Sequence, residues 1–145
     1  MRQFCVFMEN RVGRLNDLLR HLERNDLRIL ALSVVDTVDF AVARVMVDAT
    51  DLAREILTLS DFQFLETDLL GVELPCDPQP FIGVFRPLVT AEININYVYP
   101  LLYRRRGLGA VAVHVDNIDQ AGDILRDQGL RLLTEGDLAD DDEAL

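Results

Sequence analysis

The chain contains no lysine, no tryptophan and only two cysteines, Cys5 and Cys76, in 145 residues. Without lysine it has no amine side chain for Schiff-base chemistry. Two widely separated cysteines are too few for a disulfide framework or a zinc pattern, and both are expected to be small packing residues. His21 and His114 have no metal-ligand spacing. The sequence therefore predicts neither a metal site nor a bound cofactor.

Long apolar runs are also missing, since none approaches the roughly 20 residues that a transmembrane helix requires. The N-terminus has no charged-then-apolar leader. Half of the residues are nevertheless hydrophobic, and they recur periodically. We therefore expect a soluble, cytoplasmic protein that does not associate with a membrane.

The negative charge is large and unevenly distributed. A net charge of −11 argues against nucleic acid as a partner, because such binding relies on neutralising phosphates with cations. Residues 135–145 carry six acidic residues and no basic one. This segment is predicted to be a solvated, flexible acidic tail.

The remaining sequence repeats one apolar pattern when it is shifted by 66 residues, or by 68 after the second strand. Alternating positions predict the first strand of each copy, at Phe4, Val6 and Met8 and at Leu70, Val72 and Leu74. A helical spacing predicts the first helix, at Leu15, Leu18, Leu19 and Leu22 and at Phe81, Val84, Phe85 and Leu88. Alternation returns in the third strand, at Ala43, Val45 and Val47 and at Val111, Val113 and Val115.

Each copy is therefore predicted to be an α+β unit with the element order β-α-β-β-α-β. Right-handed crossovers would place both helices on one face of an antiparallel sheet. The predicted boundaries are residues 1–67 for copy one, 68–134 for copy two and 135–145 for the tail.

Specific segments add to this pattern. Copy one contains Glu9-Asn-Arg-Val-Gly-Arg-Leu15, and copy two contains Ile93-Asn-Ile-Asn-Tyr97 followed by the stretch from Val111 to Leu132. With these residues in order, the sequence resembles the ACT domain family, small regulatory modules that commonly bind amino acids. The resemblance covers nearly the whole chain as a tandem pair.

The resemblance implies two ferredoxin-like repeats side by side, which form one eight-stranded antiparallel sheet with the helices on one face. It also implies an effector between the two copies. An asparagine and a glycine of one copy's first turn, together with an asparagine that opens the second strand of the other copy, would hold this effector. Carried over to this sequence, these residues are Asn10, Gly13 and Asn94.

The two copies differ at these positions. Copy two has Cys76 and Gln79 in place of the two turn residues, and copy one has Arg28 in place of Asn94. One pseudo-symmetric site therefore keeps all its expected parts and the other has lost them. We expect a single ligand site in each chain.

The chemistry of these residues suits a free amino acid. A helix beginning near Gly13 would offer unpaired N–H groups and a positive dipole end to a carboxylate. Asparagine amides both donate and accept hydrogen bonds, so they could serve both charged groups. Arg11 and Arg14 would add positive charge, and Val12 and Asn96 would help to shape the side-chain pocket. Asparagine and glycine are also ordinary cap and turn residues, so the turn is alternatively a connection without a ligand.

Three functions are compatible with this pattern. The first is a free-standing amino-acid-binding regulatory protein without catalytic activity. The second is a regulatory subunit of an amino-acid biosynthetic enzyme that acts through protein contacts without its own ligand. The third, a metal-dependent enzyme of the vicinal-oxygen-chelate type, is disfavoured because it needs several histidine and glutamate ligands and only His114 is available.

Apolar residues also alternate on the face of copy one's strands that lies opposite the helices. This face would remain exposed in a monomer, which favours a homodimer or a metabolic-enzyme partner. Its members are Cys5, Phe7, Val42 and Met46.

Overall fold

The computed structural model describes residues 1–9 and 12–139, and of Val12 and Ala139 it describes the backbone. Repeat one contains β1 (Arg2–Glu9), α1 (Val12–Arg24), β2 (Ile29–Asp36), β3 (Phe40–Val47), α2 (Thr50–Leu59) and β4 (Gln63–Asp68). Repeat two contains β5 (Leu70–Glu73), α3 (Pro80–Thr90), β6 (Ile95–Pro100), β7 (Ala110–Val115), α4 (Ile118–Asp127) and β8 (Leu132–Leu133), and α5 (Glu135–Ala139) follows. No helix in this part of the chain is long and apolar enough to span a bilayer.

Repeat one is a four-stranded sheet in the order β2-β3-β1-β4. Antiparallel pairing places Phe4 and Leu32 on either side of Val45. The alternating residues of β1 and β3 pack with both helices in one buried cluster, which confirms the predicted single helix-covered face. Its central members are Phe4, Val6, Met8, Leu18, Leu22, Ala43, Val45, Val47, Ile56 and Leu57.

Repeat two has the same order, β6-β7-β5-β8, with antiparallel pairing of Val72 to Val111 and of Val98 to Val113. The predicted β-α-β-β-α-β order is thus confirmed in both repeats. The second core occupies the matching positions. Its central members are Val72, Val84, Leu88, Val111, Val113, Val115 and Leu125.

The ends of the helices also repeat. Each of the four longer helices is followed by a residue with φ between 56° and 80°, a left-handed conformation common at helix C-termini. Three of these residues are not glycine, so the backbone geometry is kept although side chains with a Cβ disfavour it. They are Asp26, Asp61, Glu92 and Gly129.

The predicted eight-stranded sheet is wrong, because the strands form two four-stranded sheets. Only Leu69 separates β4 from β5, so the chain passes directly from an edge strand of one sheet to an interior strand of the other. Alternation of apolar residues fixes which way side chains point within a copy. It carries no information about which strand edges pair.

The predicted exposed patch in repeat one is also wrong in part. Cys5 and Met46 are buried, and Phe7 and Val42 are half-buried. Strand alternation assigned these side chains to a face, but burial of that face depends on the folded chain around it.

Exposed apolar residues also lie on α3, besides those of β2 and of the start of β3. Phe81, Ile82 and Val89 are 53%, 43% and 63% exposed. Val84 and Leu88 of the same helix are buried as predicted. Phe81 was predicted to belong to the core-facing set, but it sits in the first turn of α3 and is outside the buried cluster.

The first part of the segment predicted to be a flexible tail is helical, since Glu135–Ala139 form α5. The Thr134 N–H donates to Asp137 Oδ2 at 2.8 Å, and the Asp137 N–H donates to Thr134 Oγ1 at 3.4 Å. This reciprocal cap stabilises the helix start, and Leu138 is buried. The Thr134 N–H also holds the pKa of Asp137 below its usual value. Residues 140–145 lie outside the described part of the chain.

Candidate ligand-binding site

The predicted binding turn follows β1 directly. Asn10 and Arg11 lie outside the described residues, and α1 begins at Val12. The first turn of α1 carries no acidic residue. Its N–H groups therefore present a positive dipole end that no carboxylate from the first turn opposes.

Gly13 is exposed and lies inside the first turn of α1. Its φ is not positive, and a Cβ built at this position would meet no atom of the described residues within 4 Å. The backbone therefore does not require glycine here. The absence of a side chain does leave the helix N-terminus open to close approach by another molecule.

Arg14 is held over the ring of Phe62, with its guanidinium carbon 4.2 Å from the ring centroid. Its Nη1 atom lies 3.8 Å from Asp17 Oδ2, and 31% of its side chain is exposed. Stacking on a buried ring limits the freedom of the guanidinium. Arg14 is therefore a positioned positive charge one residue after Gly13.

A cavity of about 560 Å³ lies beside this turn, within repeat one. Phe7 and Phe40 supply an apolar side, with their rings in edge-to-face contact at 6.0 Å. Arg14 supplies a positive charge, and two acidic side chains supply negative charge. The complete lining is Phe7, Met8, Glu9, Arg14, Phe40, Asp61 and Gln63.

This cavity has the composition that a zwitterion requires. It brings together the predicted Arg14 with Phe40, Asp61 and Gln63, which the sequence analysis did not identify as site residues. Phe40 opens β3 and Asp61 follows α2 in a left-handed conformation. Neither position has a periodic signal, because both lie at element ends that the fold brings beside β1.

Asn94 and Asn96 lie in repeat two, at the start of β6, and both are exposed. Asn94 Nδ2 donates to Asn96 Oδ1 at 2.9 Å. Asn96 Nδ2 in turn donates to Asp116 Oδ1 at 3.0 Å and lies 2.9 Å from His114 Nδ1.

The ring of His114 is stacked on Tyr97, with centroids 4.7 Å apart and planes 4° from parallel. The two asparagines therefore belong to an ordered polar cluster rather than to a loose strand end. Within the described residues no donor bonds Asn94 Oδ1. That oxygen is an available acceptor.

The matching position of repeat one is Arg28, whose N–H donates to Asp48 Oδ1 at 3.1 Å. The Asp48 N–H donates back to the Arg28 carbonyl at 3.2 Å, and the Asp116 N–H donates to the Asn94 carbonyl at 3.3 Å. The backbone arrangement is thus the same in both repeats. Only the side chain differs, arginine in one and asparagine in the other.

The matching turn of repeat two is built differently. Asp77 Oδ1 accepts from the N–H of Gln79, and Pro80 begins α3. Proline has no N–H, so this helix start offers one donor fewer than that of α1.

No group of three or more histidine, cysteine or acidic residues arranged for a metal occurs in the described chain. Cys5 and Cys76 are both free thiols, one buried and the other exposed.

A family model described as the ACT domain pair matches residues 1–141, so the chain belongs to the ACT domain pair family. The family is one of regulatory modules. A comparison with curated protein sequences finds no match.

Solved structures agree with this assignment. A protein from Bacteroides thetaiotaomicron is 26% identical, with a TM-score of 0.86 and 94% of each chain covered. The ligand-free regulatory subunit of aspartate kinase from Thermus thermophilus is 11% identical, with a TM-score of 0.61, and the match covers 88% of this chain and 91% of that one. The regulatory subunit from Thermus flavus is 11% identical with a TM-score of 0.56, covering 88% and 91%. At 11% identity the likeness concerns the fold alone.

Proposed function

We propose that this ACT domain pair is a free-standing regulatory protein that binds an amino acid and catalyses no reaction of its own. The observation that carries the proposal is the cavity beside the β1–α1 turn, which combines a positioned arginine, two carboxylates and an aromatic side. The family supports it, since ACT domains are regulatory and commonly bind amino acids.

Each part of a zwitterion has a counterpart at this cavity. The N–H groups that begin α1 and the guanidinium of Arg14 suit the carboxylate. Glu9 and Asp61 suit the ammonium, and the rings of Phe7 and Phe40 suit an apolar side chain.

The remaining site residues enter the proposal by the family resemblance. Asn10, Arg11 and Val12 belong to the same turn, and Asn94 and Asn96 are the contribution of repeat two. The mechanism would be a population shift, in which the ligand favours one of two arrangements that a partner distinguishes. A homodimer and a cytoplasmic location stay predictions.

The proposal is tested by calorimetric titration of the full chain with each of the twenty amino acids. We expect one or a few to bind, and we expect Asn10→Ala, Arg14→Gln and Asn94→Ala each to weaken binding about tenfold or more, since each removes a hydrogen bond or charge from the ligand. The matched controls Cys76→Ala and Arg28→Ala alter the equivalent positions of the other repeat and should leave binding unchanged.

If no amino acid binds, the turn is a cap and connection only. If the control variants weaken binding as much as the site variants do, the predicted asymmetry between the repeats is wrong.

Gly13 separates the two interpretations of the turn. Because its φ is not positive and its surroundings are open, Gly13→Ala should raise the free energy of unfolding by roughly 0.5–1 kcal/mol. If the glycine is there for the ligand, the same variant should weaken amino-acid binding. A variant that is more stable and binds equally well would contradict this role for Gly13.

The exposed apolar face of α3 favours a second candidate, a regulatory subunit that acts through protein contacts without its own ligand. Phe81, Ile82 and Val89 would then be covered by the regulated enzyme. Under this alternative, the tagged chain should co-purify a large catalytic subunit from its native host, and Phe81→Ser should release it while amino acids have no effect.

A further inference from the structure

A second cavity of about 780 Å³ lies in repeat two, between α3 and α4. Volumes of about 300–1,000 Å³ are typical of small-molecule sites. One side is formed by α3. The other is formed by Ile124 of α4 and by Gln128, which directly follows α4. The lining residues are Asp77, Gln79, Ile82, Gly83, Arg86, Pro87, Thr90, Ala91, Ile124 and Gln128.

The cavity exists because α3 has small residues where α1 has larger polar ones. In repeat one, His21 Nδ1 lies 2.6 Å from the Asp17 carbonyl, and Asn25 Nδ2 donates to the His21 carbonyl at 2.8 Å. The His21 ring also packs edge-on against Phe62 at 5.7 Å. These side chains extend from positions at which α3 and its end have a glycine, a proline and an alanine. The residues of repeat one are Asp17, His21 and Asn25, and the residues at the equivalent positions of repeat two are Gly83, Pro87 and Ala91.

Two groups of this cavity are candidates to bond a ligand, the Gly83 carbonyl and the Arg86 guanidinium. Pro87 has no N–H, so the Gly83 carbonyl lacks the donor that a helix normally supplies four residues later. Arg86 is the only ionisable residue of α3, and no carboxylate among the described residues pairs with it. Asp77, at the end of the cavity, already accepts a hydrogen bond from the N–H of Gln79.

The rest of the lining is mostly apolar. Ile82 and Ile124 face the cavity from the two helices, and Pro87 adds its ring. A partly exposed apolar groove with a cation and a backbone carbonyl suits a molecule with an apolar body, a carboxylate and an N–H donor.

We propose that the groove between α3 and α4 binds a small apolar carboxylate that also carries an N–H donor. Arg86 binds the carboxylate, the Gly83 carbonyl accepts from the N–H group, and the isoleucines contact the apolar body. This site lies wholly within repeat two and uses none of the residues of the β1–α1 turn.

The test uses N-acetylphenylalanine as the probe, because its blocked amine cannot supply the ammonium expected at the turn site. Its neutral amide, N-acetylphenylalaninamide, is the matched control ligand. In heteronuclear NMR titrations of the full chain, the acid should shift amide signals of residues 79–91 and 124–128. It should bind about tenfold more tightly than the amide, since only the acid has a charge-assisted bond to Arg86.

Arg86→Gln should remove this preference and leave the weaker binding of the amide unchanged. Arg20→Gln is the matched protein control, because Arg20 holds the equivalent position in α1, is exposed and lines neither of the two cavities described above. It should change neither affinity. Both substituted side chains are exposed, and circular dichroism of each variant confirms that it is folded.

Absence of shifts in these segments at millimolar probe would overturn the proposal, as would equal effects of Arg86→Gln and Arg20→Gln. Asn10→Ala separates this site from the proposed function. It should weaken amino-acid binding at the turn about tenfold or more without changing N-acetylphenylalanine binding. Equal weakening of both would place the probe at the turn and refute the groove.

Discussion

The two repeats share a topology and a core but differ on their helical surfaces. In α1 the outward positions are charged or polar, and His21 and Asn25 bond back to the helix carbonyls. In α3 the outward positions are apolar, and Arg86 is the only charge. The two repeats therefore share the apolar core residues that each sheet needs in order to fold. The residues on the outward surfaces of their helices differ.

The cavities follow the same division. The cavity described in repeat one lies at the strand-to-helix turn, beside Arg14, whereas the one described in repeat two is larger and lies between its helices, beside Arg86. The two repeats therefore differ in more than the loss of one predicted site. Each repeat has a cavity at a different place and with different lining residues.

The largest expected effect tests the shared core. Leu57 and Leu125 occupy matching positions and are fully buried, so Leu57→Ala and Leu125→Ala should each lower the free energy of unfolding by about 2–5 kcal/mol. Urea denaturation measures both. Leu59→Ala, at a position that is 75% exposed, is the control and should change stability by less than about 0.5 kcal/mol. If either core variant lowered the free energy of unfolding by less than about 1 kcal/mol, the two cores would not be equivalent.

An intermediate effect tests a polar pair that only repeat two has. Glu73 stands where repeat one has Phe7, and Tyr103 Oη donates to Glu73 Oε2 at 2.5 Å. Burial, and then this bond, raise the pKa of Tyr103 to about 12. Tyr103→Phe should therefore cost about 1–3 kcal/mol at pH 7, because the largely buried Glu73 loses a donor.

The sign of the pH dependence follows from the raised pKa. The stability that Tyr103 contributes is fully present below the unfolded pKa of about 10 and is lost as pH rises through the folded value. The difference between the native protein and Tyr103→Phe should shrink from pH 10 to pH 12 in urea denaturation. A difference that is constant over this range would exclude the hydrogen bond as its source.

The smallest effect tests an ion pair that only repeat one has. Arg54 donates to both carboxylate oxygens of Glu66 at 2.6 Å, whereas repeat two has Gly122 and Thr134 at the matching positions. The hydrogen bond from Arg54 lowers the pKa of Glu66. Because that pKa is depressed, the stabilisation is present above the unfolded pKa and is lost as pH falls through the folded one.

Arg54→Gln should therefore lower the melting temperature slightly at pH 7 and leave it unchanged once Glu66 is protonated. The effect is small because the pair is partly exposed to solvent, which screens it. The measurement is the melting temperature of both proteins between about pH 2 and pH 7, the range in which carboxyl groups titrate. An equal loss at both ends of this range would mean that Arg54 acts by packing instead.

Much of the fold could be predicted from the sequence because apolar periodicity acts locally. The shift of 66 to 68 residues located both cores, both helix faces and the element order. It failed for Phe81, at a helix start, and for residues 135–139, where charge obscured a capped turn around the buried Leu138.

The candidate site was predictable only in part. Arg14 and the turn that begins α1 followed from the sequence, but Phe40, Asp61 and Gln63 come from elements that are distant along the chain. Likewise, Gly83 and Pro87 look like ordinary residues of an apolar helix until α4 is packed beside them.

The sequence by itself determined that two β-α-β-β-α-β units follow one another and which side chains form their cores, since these depend on residue spacing within each element. Only the tertiary structure decided that the strands form two sheets, that Cys5 and Met46 on the strand face opposite the helices are buried, and where the cavities lie. These features depend on which elements meet in space. Contacts between residues far apart in the chain leave no periodic trace in it.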